Sequence, residues 1–95
     1  MTVLERVEIT VKDGMVEALL AALRQNGLPL LLGIEGCLAA RTGGGVESPE
    51  KVILLVDWTS LAAHEAFKKM PEYVTLATAI FPLAVSATAE HFIMA

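Results

Sequence analysis

Two histidines, His64 and His91, are the side chains of this 95-residue chain best suited to moving a proton near neutral pH. A free imidazole titrates at about 6.5 and is the natural general base there. Trp58 precedes His64, and Phe67 and Tyr73 follow it, so an aromatic wall is available around that histidine. A neutral imidazole in such a wall would take a proton from a phenolic compound. We therefore assign His64 and Trp58 as candidate catalytic residues, with His91, Phe67 and Tyr73 as candidate substrate-binding residues. Each has a plainer alternative: Trp58 and Phe67 as core packing, His64 as a solvated helix residue, His91 as a buried ring tied to a polar partner. The single cysteine, Cys37, cannot form an internal disulfide and reads as a small buried apolar residue. No Cys/His grouping has zinc-ligand spacing, so no metal is expected. Gly43-Gly44-Gly45 lacks the spacing and the following Lys-Ser or Lys-Thr of a phosphate loop, and reads as a hairpin tip.

The elements that must position these groups follow from periodicity. Val3, Glu5, Val7, Ile9 and Val11 alternate with Leu4, Arg6, Glu8 and Thr10, the period of a strand. Asp13 is placed to cap a helix from Met15 to Gln25, whose stripe is Val16, Leu19, Leu20 and Leu23. Asn26-Gly27 is the expected left-handed stop, followed by a connector over residues 28–33 with room for one further helical turn. Ile34 to Thr42 reads as strand two, and Val52 to Trp58 as strand three, apolar enough to be covered on both faces. Thr59 or Ser60 caps a helix over Leu61 to Lys69 with a stripe of Ala63, Phe67 and Met70, and His64 falls beside that stripe. Pro71 starts a second helical segment, Glu72 to Phe81, which Pro82 ends. Leu83 to Met94 alternates as strand four, with His91 in step with Val85, Ala87, Ala89 and Ile93. The predicted fold is a single α+β domain over residues 1–95. Its order is β-α-β-β-α-β, a ferredoxin-like four-stranded antiparallel sheet with helices on one face.

Composition predicts what covers the other face. Hydrophobic residues make up 55% of the chain and charged residues 19%. A chain this short buries only about 60–65% of its unfolded surface, so part of that apolar material must lie outside. A second identical sheet is the simplest cover, because a two-fold axis lets one patch satisfy itself. Arg6, Glu8 and Arg41 would then pair across the interface. A membrane span is excluded, since the longest apolar stretch, Leu28 to Ile34, contains Pro29 and Gly33 and is far short of about 20 residues. Glu5 and Glu8 stand where a signal peptide would be basic and then apolar, so the cytoplasm is the expected compartment. A net charge of −4 with scattered Lys and Arg argues against nucleic acid.

Three stretches carry a family resemblance. Ile34-Glu35-Gly36-Cys37-Leu38 resembles a Glu-Pro-Gly-Cys approach to strand two, without its proline. Val56-Asp57-Trp58-Thr59-Ser60 with Ala63-His64 resembles a Trp-x-Ser…Ala-His segment, and Glu90-His91-Phe92 resembles the close of a final strand. Together they resemble the antibiotic biosynthesis monooxygenase family of the dimeric α+β barrel superfamily. The resemblance implies a homodimer whose two sheets form a barrel, with a pocket between helices and sheet for a small hydrophobic or aromatic molecule.

It also implies a reaction: monooxygenation of a quinol, anthrone or polyketide-like aromatic without metal or flavin, the substrate itself supplying electrons. Haem-degrading relatives combine a strand-one Asn with a late-helix His, and this chain has neither. The alternatives are a non-catalytic, stress-associated dimer that holds a hydrophobic ligand, and a cyclase or isomerase on the same fold.

Overall fold

The structure, a computed structural model, describes residues 1–95. Strand β1, Val3–Val11, leads to a turn in which Gly14 takes φ +76°, a conformation that favours glycine. Helix α1, Val16–Ala22, starts without a side-chain cap, so the cap expected from Asp13 does not form; the turn is closed by the Met15 N–H on the Lys12 carbonyl.

The stop expected at Asn26-Gly27 is also absent. A π-helical turn, Leu23–Gly27, carries the chain directly into α2, Leu28–Leu32. Pro29 has no N–H to donate, and the wider turn before it is one way a helix absorbs that loss. Gly27 is helical, and its reason is proximity. A Cβ there would lie 2.9 Å from Leu23 Cδ2 and 3.3 Å from Leu76 Cδ1.

After α2 the chain turns at Gly36, with φ +91°, and enters β2, Cys37–Gly44, three residues later than expected. Strand β3 is Lys51–Trp58. Ser60 is the cap of α3, Leu61–Phe67, its hydroxyl accepting the Ala63 N–H at 3.1 Å. Met70 is extended, and Pro71 opens α4, Pro71–Ile80; a single 3-10 turn, Phe81–Leu83, precedes β4, Ala84–Ile93.

The four strands form one antiparallel sheet in the order β2-β3-β1-β4, and the helices pack on one face. This is the ferredoxin-like β-α-β-β-α-β arrangement. Val3, Ile9 and Val11 of β1 join Val52, Leu54, Val56 and Trp58 of β3 beneath Leu19, Leu23, Leu31, Phe67, Leu76 and Ile80. Strand β3 alternates strictly, one set of side chains buried and the other half-buried, so within one chain only its helix-side face is fully covered. Edge strand β4 is exposed along almost its whole length, and Leu38, Val85, Phe92, Ile93 and Met94 are large apolar residues left in the open. Arg6 lies 3.5 Å from both Glu8 and Glu90 of its own chain, and Lys51 lies 3.6 Å from Glu8. Exposed pairs of this kind contribute at most about 1 kcal/mol each. No helix is long and apolar enough to cross a membrane.

Candidate functional site

On the helix-facing side of β1, the row of buried residues is interrupted. Val3 and Ile9 are buried, but Glu5 and Val7 between them are only half-buried and border a cavity of about 210 Å³. Twelve of its 15 lining residues are hydrophobic, so it favours an apolar guest. Leu54 and Val56 form its floor with Val7. Phe67, Tyr73, Leu76 and Ile80 come from the helices, and Ala87, Thr88 and Ala89 from β4. Phe67 and Tyr73 meet edge-to-face with centroids 5.6 Å apart, a favoured aromatic geometry.

Glu5 and His64 bring ionisable chemistry to this wall. Glu5 Oε1 accepts the indole N–H of Trp58 at 3.0 Å, and Glu5 Oε2 lies 3.2 Å from His64 Nε2. The indole bond holds one carboxylate oxygen and leaves the other toward the imidazole. Helix α3 supplies the opposite half. His64 and Phe67, one turn apart, are its buried residues, so His64 lies on the buried stripe and not beside it. The imidazole is 5% exposed, and its Nδ1 is buried without a hydrogen-bond partner; the nearest carboxylate to that nitrogen, Glu65, is 4.0 Å away. Burial lowers the His64 pKa below the ordinary value, against the opposing pull of Glu5, and His91 pushes in the same direction as burial. The resting ring is therefore neutral near pH 7.

The residues singled out from sequence fall into two groups. His64, Phe67 and Tyr73 line the cavity. Trp58 does not: it is fully buried behind Glu5, with ring centroids 5.5 Å from both His64 and Phe67. His91 is exposed rather than buried, outside the lining, and its ring centroid lies 4.6 Å from that of His64 with the two rings tilted by 46°. It is also the cross-strand neighbour of Glu5. Glu5 was missed. Its signal was nevertheless present, a carboxylate in step with Val3, Val7, Ile9 and Val11 on the apolar face of a strand, where an unpaired charge is costly.

Cys37 is half-buried, its Sγ near the Ala39 carbonyl at 3.7 Å, and burial raises its thiol pKa, the setting of an unreactive cysteine.

Residues 2–79 match the family model described as antibiotic biosynthesis monooxygenase. No curated protein matches the chain. Among solved structures, a candidate antibiotic biosynthesis monooxygenase from Bordetella bronchiseptica superimposes with a TM-score of 0.91 at 20% identity, over 99% of this chain and 97% of that one. A candidate of the same description from Nitrosomonas europaea gives 0.84 at 16% identity, over 96% and 88%. Another from Chloroflexus aurantiacus gives 0.82 at 17%, over 100% and 94%. At these identities the likeness establishes the fold.

Proposed function

The chain belongs to the antibiotic biosynthesis monooxygenase family, and from that premise we propose that it oxygenates a small aromatic quinol, anthrone or polyketide-like compound in the cavity beneath α3 and α4. The observation that carries this reading is the Glu5–His64 pair, 3.2 Å apart at the wall of an otherwise apolar cavity. His64 is the base. For an anthrone, His64 takes a proton from the ring CH2 and leaves an electron-rich enolate. That anion passes one electron to dioxygen, and the substrate radical and superoxide join through a new C–O bond to give a peroxide anion, which takes the proton back from His64 and becomes a hydroperoxide. His64 then takes the second C–H proton as the O–O bond breaks, leaving a carbonyl and hydroxide. The hydroxide leaves as water with that second proton. One oxygen atom ends in the product and one in water, and all four electrons come from the substrate.

Glu5 stabilises the imidazolium formed in the first step, and Trp58 fixes the Glu5 carboxylate in place as a positioning residue. Phe67 and Tyr73 hold the aromatic rings, and the apolar lining strengthens the Glu5–His64 interaction while the charge is present.

We further propose that two copies pair through their open sheet faces. The support is the exposed length of β4 and the uncovered Leu38, Phe92 and Met94.

Oxygen uptake against a quinol and anthrone panel, with wild type and His64→Ala, tests the reaction. Uptake that needs His64 supports it. Tight binding of panel compounds with no uptake would make the domain a ligand carrier, and product formed without oxygen would make it a cyclase or isomerase.

A further inference from the structure

Glu5, His64 and His91 come from β1, α3 and β4, far apart in the chain, yet one ligating atom from each lies within 4.8 Å of the others. Two imidazoles and one carboxylate form the donor set of open zinc and non-haem iron sites. Metal–nitrogen and metal–oxygen bonds of about 2.1 Å place neighbouring ligand atoms of a tetrahedral ion about 3.4 Å apart. Glu5 Oε2 and His64 Nε2 already stand at 3.2 Å. The remaining adjustment falls on His91, an exposed side chain on an edge strand with freedom to change rotamer.

Part of the supporting shell is built: Glu5 has an outer partner, whereas His64 Nδ1 has none. Trp58 holds the other Glu5 oxygen, which fixes the carboxylate as outer hydrogen bonds fix metal ligands elsewhere. His64 is buried, with Nδ1 lacking any partner, so its position is set by packing and by Glu5. The two imidazole centroids are 4.6 Å apart with the rings tilted by 46°, so both rings stand close enough to approach one ion as neutral donors. A single dication bound by both would also use the carboxylate charge.

We propose that Glu5, His64 and His91 bind one transition-metal dication of the zinc class, leaving an open coordination position beside the apolar cavity. Nitrogen donors select such an ion over magnesium or calcium, which prefer oxygen ligands. The proposal stands apart from the oxygenase reading, because it is read with no substrate present. The ion would engage the same Glu5–His64 pair that the oxygenase reading uses.

The test is isothermal titration of untagged, chelator-stripped protein with Zn2+ and, separately, Mg2+, alongside the visible absorption of Co2+ added to the same protein. One equivalent of Zn2+ per chain is expected, with a Co2+ ligand-field band of low-coordinate character and no Mg2+ binding. His91→Ala and Glu5→Gln are each expected to weaken Zn2+ by more than the roughly 100-fold seen for outer-shell changes. His91 is exposed, so its variant tests the site even where Glu5→Gln fails to fold. Absent Zn2+ binding, or binding unchanged in folded His91→Ala, would overturn the proposal.

Discussion

Glu5 on β1 and His64 on α3 face each other across 3.2 Å, although 58 residues separate them in the chain. The two meet because β1 and β3 are neighbours in the sheet and α3 follows β3 immediately. Trp58, at the end of β3, binds Glu5 from behind, and His64 returns over it one helical turn later. A carboxylate on an apolar strand face and a histidine on an apolar helix face are each costly alone. Together they satisfy one another.

His64→Ala is expected to leave a folded protein and to lower kcat for oxygen uptake by about 10²-fold or more, the usual size of a general-base contribution. Circular dichroism checks the fold and an oxygen electrode the rate. Wild-type turnover in folded His64→Ala would remove His64 as the base.

Glu5→Gln retains an oxygen for the Trp58 indole but removes the charge that opposes burial at His64. The His64 titration midpoint is therefore expected to move further below the wild-type value. NMR titration of the two imidazole C–H signals in chelator-treated protein reads this directly, and a midpoint that rises or stays put contradicts it.

The same pKa shift couples folding to pH. Unfolded His64 binds a proton more readily than folded His64, so stability from its neutral burial is fully present above the unfolded value of about 6.5. It is lost as pH falls from there toward the lowered folded pKa. Glu5 from β1, His91 from β4, and Glu65 and Lys68 from α3 act on the same ring. Denaturant midpoints in chelator-treated protein should fall on acidification through this window. His64→Gln should flatten the dependence.

Trp58→Phe keeps most of the buried ring but leaves Glu5 Oε1 without its donor. The expected loss is about 1–3 kcal/mol, the cost of an unmet buried polar group. In kinetics the effect should fall on kcat more than on KM, since Trp58 lies outside the cavity lining. Thermal melts and oxygen uptake together check both halves.

Gly36→Ala should destabilise by about 2–4 kcal/mol. The φ of +91° is strained for alanine, and the added Cβ would lie 2.6 Å from Ala63 Cβ and 3.3 Å from Thr59 Oγ1. Because Ala63 adjoins His64, the displaced start of α3 should also lower activity more than the stability loss alone predicts. A neutral melt would show that the turn relaxes freely.

Period-two alternation in residues 3–11, the apolar run 52–58 and a cap at Thr59 or Ser60 were legible because each is a local rule, and together they set the β-α-β-β-α-β order. The stop at Asn26-Gly27 was not, because glycine serves close packing as well as left-handed turns. Only the packed structure reveals Leu23 and Leu76 against Gly27. Phe67 and Tyr73 were named from residue type and spacing, His64 also from its likeness to the family's Ala-His segment, and the fold brings all three to one cavity. That Trp58 lies behind the cavity, that His91 is exposed beside His64, and that Glu5 joins them depended on sheet register and helix rotation. Chain spacing carries periodicity. It does not carry which side chains from three separate elements converge, since that distance is set only when strands pair and a helix is laid across them.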